Sequence, residues 1–197
     1  MKTYVATKNA GKLAELVAIF AGRHLDLATY DGYADVAEGE AGYVENARLK
    51  AHALMGQLRE AGIDAAVLAD DSGLEVDALD GRPGVLSARY AGANATWPQR
   101  RAALCRELDG LHESERGAHF VSVLVLLLPT GEEIVAEGIV NGRITEGEHG
   151  EHGFGYDPIF FYPPSRRTFA QMTDAEKNRL SHRRRAADAL LEALVTK

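Results

Sequence analysis

The chain has very little cysteine and no long apolar segment. Cys105 is the single cysteine among 197 residues, so the chain cannot form an intramolecular disulfide, which favours a reducing compartment. The longest unbroken aliphatic run, residues 123–128, is six residues long, whereas a membrane-spanning helix needs about 20. No amino-terminal signal region is visible. We therefore expect a cytoplasmic protein that does not enter a membrane.

Positive charge is also in deficit. The chain has 22 Lys and Arg residues against 29 Asp and Glu residues, which gives a formal net charge of −7. General binding to nucleic acid relies on a broad positive surface that displaces counterions. We therefore expect no nucleic-acid partner, and an anionic ligand would have to meet a local site.

The apolar pattern alternates between the period of a strand and the period of a helix. Strand signals occur at residues 3–7, 65–69, 74–76, 120–128, 134–140 and 159–162. Helical patterns occur at residues 12–21 and 44–61, and capping-box signals at Thr96 and Thr173 begin further helices. Ser181 can cap the last helix. This mixture predicts an α/β fold in one globular unit with a cleft.

The first strand is followed by the loop T-K-N-A-G-K, residues 7–12, and then by apolar residues at helical spacing. The loop is not a P-loop, because Ala6 and Leu13 occupy positions where that motif needs Gly and Ser or Thr. A helix that begins near Gly11 would still point its first backbone N–H groups at the loop. The segment therefore predicts an anion site.

Two acidic segments could contribute to chemistry. The stretch L-A-D-D-S-G places Asp70 and Asp71 at the end of an apolar strand, before a Ser-Gly turn. Adjacent strand residues face opposite sides, so we expect one carboxylate to face a cleft while the other caps the turn; an ordinary polar turn is the alternative. Glu38 and Glu40 precede the second helix. Carboxylates from separate segments suit Mg²⁺, and an exposed acidic loop is the alternative.

Near the carboxyl end, the stretch H-G-F-G-Y-D-P combines small residues with aromatic ones. Backbone can approach a flat ligand at glycine while a ring stacks on it, which makes Phe154 and Asp157 candidates for ligand contact. The following K-N-R-L-S-H-R-R-R supplies Lys177, His182 and Arg183 as donors to a phosphate or a carbonyl edge. A solvated basic helix face is the competing interpretation.

Six motifs in this order resemble the inosine triphosphate pyrophosphatase family: T-K-N-A-G-K, E-N-A, A-D-D-S-G-L, P-G-V-L-S-A-R-Y, F-G-Y-D-P-I-F-F and S-H-R. The resemblance runs from Val5 to the last helix. It implies an elongated α/β fold with a long mixed sheet and flanking helices, in which residues 1–197 form a single domain whose two lobes enclose a central cleft. It also implies Mg²⁺-dependent hydrolysis of ITP, dITP and XTP to the monophosphate and pyrophosphate, which cleanses the nucleotide pool. A homodimer is implied as well.

The resemblance assigns roles to residues position by position. Asp71 matches a metal ligand and general base, Glu38 matches the second metal carboxylate with Glu40 as an alternative register, and Ser72 matches a substrate contact. The triphosphate loop is implied to comprise Thr7, Lys8, Asn9, Ala10, Gly11 and Lys12. The positions around the base and sugar are implied to be Phe154, Gly155, Tyr156, Asp157, Lys177, His182 and Arg183.

Two other functions remain open at this level. Maf-like pyrophosphatases, which act on modified pyrimidines, share a similar two-lobed architecture, but the F-G-Y-D and S-H-R motifs argue against that class. A nonenzymatic purine-nucleotide sensor would keep the binding residues without turnover. Release of pyrophosphate from ITP in the presence of Mg²⁺ distinguishes an enzyme from a sensor.

Overall fold

The computed structural model describes residues 1–196, and these residues form five α-helices. The helices are α1 (Ala10–Phe20), α2 (Tyr43–Glu60), α3 (Trp97–Glu107), α4 (Asp174–Leu180) and α5 (His182–Val195). Thr96 and Thr173 cap α3 and α4 with complete capping boxes, so both predicted helix starts are confirmed. Within the described part of the chain, no helix is both long and apolar enough to cross a membrane.

Eight strands form one mixed sheet. They are β1 (Lys2–Ala6), β2 (Asp26–Ala28), β3 (Ala66–Val76), β4 (Pro83–Gly84), β5 (Gly117–Leu127), β6 (Glu133–Ile144), β7 (Phe160–Tyr162) and β8 (Arg167–Thr168). Their order in the sheet is β2-β1-β3-β5-β6-β7-β8, with β4 paired to β3. β1 is parallel to β2 and β3, whereas the β3–β4, β6–β7 and β7–β8 pairs are antiparallel. The predicted α/β class with a long mixed sheet is confirmed.

The chain divides into two compact units. The first comprises residues 1–72, residues 122–138 and the chain from His182 onward, and the second comprises residues 73–121 and 139–181. In the first unit, Ala66 and Leu68 of β3 lie in a core cluster with α1 and α5, whereas Val67 and Ala69 lie in a second cluster with α2. Because side chains alternate along a strand, β3 carries two different sets of contacts on its two faces.

The second unit has its own aromatic core. Phe120, Phe160 and Phe169 pack against one another, with the rings of Phe120 and Phe169 nearly parallel and their centroids 5.8 Å apart. Leu104 and Leu108, from α3 and its end, are fully buried in the same cluster. Burial of such side chains stabilises a fold by roughly 1.5–3 kcal/mol each, so α3 is firmly attached to this unit.

The predicted turn after Asp71 is wrong. Residues 66–76 form one continuous strand, and D-D-S-G lies inside it rather than between two strands. Asp70 and Asp71 are both buried and are held by partners far away in sequence, as described below. These tertiary contacts outweigh the local preference of Asp, Ser and Gly for turns.

Candidate active site

The predicted phosphate loop lies at the carboxyl end of β1. Ala6, the last residue of β1, pairs with Ala69 in the parallel β3 strand. Thr7 Oγ1 then accepts a hydrogen bond from the Asn9 backbone N–H at 3.1 Å. Asn9 caps α1 because its Oδ1 accepts the Lys12 backbone N–H at 3.1 Å. The amino end of α1 therefore lies at the carboxyl end of β1, and α/β proteins commonly bind ligands at the carboxyl ends of their strands.

Asp70 lies on the β3 face that carries α1 and α5. Its carboxylate is 3.0 Å from Lys12 Nζ and 3.4 Å from Arg183 Nε. Ser122 Oγ donates to it at 2.6 Å, and Ser72 Oγ donates at 3.1 Å. Burial favours the neutral acid, but Lys12 and Arg183 hold the pKa of Asp70 well below its usual range. Asp70 is therefore a buried, ionised carboxylate that pairs with two cationic side chains.

Arg183 is held by Asp70 and by side chains around it. Its guanidinium donates to Glu15 Oε2 at 2.7 Å and to Ser72 Oγ at 2.6 Å, in addition to the contact with Asp70. Arg183 and Lys12 approach the same oxygen, Asp70 Oδ2. The structure therefore brings Arg183, Ser72 and Lys12 together in the first unit, with Glu15 as a partner that the motifs do not reveal.

Asp71 lies on the opposite face of β3, toward α2. Its Oδ1 is 3.0 Å from Lys50 Nζ, and its Oδ2 accepts a hydrogen bond from Asn46 Nδ2 at 3.1 Å. Lys50 Nζ is also 2.5 Å from Glu38 Oε1. Burial raises the pKa of Asp71, and the Lys50 ammonium opposes that shift. The expectation that the two aspartates face opposite sides is confirmed by their separate partners.

Sequence reasoning missed Lys50 and gave no role to Asn46, although Asn46 lies in the E-N-A motif. Asn46 also binds the acidic loop, since its Oδ1 accepts the Gly39 N–H at 2.9 Å and its Nδ2 donates to the Gly39 carbonyl at 3.2 Å. Both residues are buried on α2 among Ala47, Ala51 and Leu54. The available signal was two polar side chains within the apolar stripe of a helix, where an unpaired polar group would be costly.

The carboxylate oxygens of Glu38 and Asp71 are close enough to bind one cation together. Both approach the same nitrogen, Lys50 Nζ, at 2.5 and 3.0 Å. Within residues 1–196, no group of three or more His, Cys, Asp or Glu side chains is arranged to hold a metal ion. Mg²⁺ is usually bound by one or two carboxylates together with water and substrate phosphates. The two carboxylates therefore fit Mg²⁺ when a phosphate completes its coordination. Glu40 is exposed, so the geometry favours Glu38 for this role.

In the second unit, the F-G-Y-D loop is organised around Asp157. Its Oδ2 accepts the Phe154 N–H at 2.8 Å and lies 2.5 Å from Lys177 Nζ. Asp157 and Lys177 are each 2% exposed, and Lys177 Nζ lies 4.8 Å from the centroid of the Phe154 ring. Gly153 has a φ of +72°, and a Cβ there would lie 2.1 Å from the Asp157 carboxylate. The loop therefore requires glycine at this position.

The remaining predicted contacts differ in exposure. Phe154 is half-buried, so part of its ring is accessible. Tyr156 is buried, and its hydroxyl donates to the Ser87 carbonyl at 3.0 Å. His182 is the first residue of α5 and is also buried. Ser181 lies between α4 and α5. Of the aromatic residues in this loop, Phe154 is the better placed to meet a ligand.

The fold is α/β with a long mixed sheet, and the candidate anion-binding loop lies beside buried carboxylates. These features define an α/β protein with a candidate phosphate site. A model of the Ham1 family matches residues 3–193, and the chain belongs to the Ham1 family. A dITP/XTP pyrophosphatase of Thermus thermophilus is 47% identical over 195 residues, which cover 98% of this chain and 91% of the relative. That of Geobacillus kaustophilus is 44% identical over 191 residues, covering 95% and 91%. A solved structure of a HAM1 protein from Coxiella burnetii superposes with a TM-score of 0.86 at 34% identity and covers 100% of both chains.

Proposed function

We propose that this chain hydrolyses dITP, ITP and XTP to the corresponding monophosphate and pyrophosphate. The relatives that carry the name dITP/XTP pyrophosphatase align with it over nearly its whole length. The observation that carries the proposal is the cluster in the first unit, where the loop that ends at Lys12 lies beside the buried Asp70. Hydrolysis of these nucleotides would keep them out of DNA and RNA.

The reaction proposed is attack of water on the α-phosphorus. Residues 7–12 bind the triphosphate, and Ser72 adds a contact. Asp71 accepts a proton from the attacking water while the bond between the α-phosphorus and the bridging oxygen breaks. Pyrophosphate then leaves against Lys12 and the amino end of α1, where positive charge and N–H groups stabilise it.

The proposed cofactor is Mg²⁺, held by Glu38 and Asp71. When bound, it neutralises charge on the phosphate oxygens and helps to orient the water. Lys50 contacts both carboxylates and so fixes their separation. Asn46 fixes Asp71 and the backbone of Gly39, which keeps the acidic loop near the catalytic carboxylate.

The base is proposed to meet residues of the F-G-Y-D and S-H-R motifs. The ring of Phe154 stacks on the purine, and Gly155, Tyr156 and Asp157 shape the loop that carries it. Donors among Lys177, His182 and Arg183 bind the 6-oxo edge of hypoxanthine or xanthine. Adenine presents a donor there, which would leave those donors unpaired, and such a mismatch can lower kcat/KM by about 10⁴-fold.

A nucleotide panel tests the activity. With Mg²⁺ present, we expect dITP, ITP and XTP to release pyrophosphate in equal amount to the monophosphate, and ATP to be rejected at least as firmly as GTP. Pyrophosphate and orthophosphate should be measured separately. Orthophosphate as the first product would contradict cleavage next to the α-phosphorus, and nucleotide binding without any release would indicate a sensor.

The proposal extends to assembly and location. We propose that the two compact units act on the same nucleotide as one catalytic domain. We also propose that the chain works as a homodimer. The proposed location is the cytoplasm, because a single cysteine suits a reducing compartment. Sedimentation equilibrium at micromolar concentration is expected to give twice the 21.3 kDa mass of the chain. A fully active monomer at that concentration would contradict the dimer.

A further inference from the structure

Arg101 on α3 contacts two points of the segment that joins β6 to β7 in the second unit. One terminal nitrogen of its guanidinium donates to the Gly155 carbonyl at 2.8 Å. The other donates to Glu148 Oε2 at 2.8 Å, and Nε lies 2.8 Å from Glu148 Oε1. Arg101 is only 9% exposed. A buried side chain therefore ties the F-G-Y-D residues to an earlier part of the same segment.

Trp97 supports the same loop one helical turn earlier. Its ring meets the Tyr156 ring edge to face, with centroids 5.4 Å apart. A Cβ built on Gly155 would lie 3.7 Å from the Trp97 ring, so the glycine backbone packs against it. The capping box at Thr96 fixes the start of α3. Residues four apart share one helix face, so Trp97 and Arg101 together present a rigid surface to the loop.

The loop needs external support because of its backbone. Gly153 and Gly155 have φ values of +72° and +65°, and glycine loses more conformational freedom on folding than other residues. Asp157 holds the N–H of Phe154 on one side. Arg101 holds the carbonyl of Gly155 on the other. The backbone of Phe154, whose side chain is half-buried, is therefore fixed at its own N–H and at the carbonyl of the next residue.

We infer that Arg101 is a positioning residue for base recognition, which acts by fixing the Gly155 carbonyl and so the orientation of Phe154. The inference rests on the proposed function only in that Phe154 contacts the purine. Arg101 is not required to touch the nucleotide or to take part in hydrolysis. Its loss should therefore weaken interactions made by the base and spare those made by the phosphates.

Calorimetric titration with inosine monophosphate, which carries the base and has no bond to cleave, tests this independently of turnover. We expect Arg101→Met to raise the Kd for inosine monophosphate by about 10-fold or more, since small misplacement of binding groups has large effects. Inhibition by inorganic tripolyphosphate, which lacks a base, should keep its parental constant. In turnover, KM for ITP should rise while kcat stays within about threefold of the parent.

Three variants serve as comparisons. Arg106→Met makes the same change at an exposed position of α3 and should leave every constant unchanged. Arg101→Lys keeps one donor for the Gly155 carbonyl and should recover part of the affinity, even if the methionine variant folds poorly. Glu148→Gln leaves that carbonyl contact in place and should have less effect than Arg101→Met, because the Glu148 side chain is 46% exposed.

The outcomes separate the two proposals. A Kd for inosine monophosphate within twofold of the parent in Arg101→Met, or a parallel loss of tripolyphosphate inhibition, would overturn the positioning role. A parent that binds inosine monophosphate but releases no pyrophosphate from ITP would overturn the enzymatic function and leave the role of Arg101 standing. A parent that does not bind inosine monophosphate would overturn the positioning role.

Discussion

Replacement of Asp71 by asparagine is expected to lower the kcat for dITP hydrolysis by at least about 100-fold while the fold is retained. The amide has nearly the same shape, so Oδ1 can still accept a hydrogen bond from Lys50 at the position now 3.0 Å away. It cannot accept a proton from water at neutral pH, and it brings no negative charge. Pyrophosphate release under saturating nucleotide measures the loss, and circular dichroism checks the fold.

The acidic loop provides the matched comparison for this variant. Glu38→Gln should also reduce turnover, because Glu38 contacts the lysine that binds Asp71. Glu40→Gln changes an exposed carboxylate two residues away and should have little effect. Parental turnover in Asp71→Asn would remove Asp71 from the reaction. A larger loss from Glu40→Gln than from Glu38→Gln would move the second carboxylate to Glu40.

The elements that local sequence determines could be predicted well. The helix starts at Thr96 and Thr173 depend on side chains within three residues of the cap. The strand, loop and helix at residues 2–20 followed in the same way from an apolar run, a polar segment and a helical repeat.

The partners of the two aspartates could not be predicted from local patterns. Arg183 is 113 residues from Asp70 and 168 residues from Glu15 in sequence, and these long-range contacts keep D-D-S-G in an extended strand. Lys50 was visible only as a polar residue on the apolar face of a helix, and Asn46 lay in the E-N-A motif without an assigned role. Sequence patterns show that such groups need partners, but the sheet order decides which partners they meet.

The charge pairs around Asp70 lead to a second prediction, on stability. Asp70→Asn is expected to lower the free energy of unfolding at pH 7 by about 3 kcal/mol, near the lower end of the range for breaking a buried ion pair. Lys12 keeps some access to solvent, with 14% of its side chain exposed, and can turn outward. Arg183, at 4% exposed, cannot, although it keeps Glu15 as a partner. Urea unfolding followed by circular dichroism measures the difference.

The pH dependence of that difference identifies its electrostatic origin. The folded-state pKa of Asp70 is lowered by Lys12 and Arg183, whereas the unfolded value is near 3.9. A carboxyl group with a lowered folded-state pKa stabilises the fold above its unfolded pKa, and this contribution is lost as the pH falls toward the folded-state pKa. The difference in the free energy of unfolding between parent and Asp70→Asn should therefore be constant from about pH 8 to pH 5 and smaller at about pH 3.

Asp188→Asn is the control, because Asp188 also binds two arginines but its side chain is 46% exposed. This variant should lower the free energy of unfolding by no more than about 1 kcal/mol. An equal cost for the two variants, or a gap for Asp70→Asn that does not shrink at low pH, would show that the buried charge of Asp70 does not hold this cluster together.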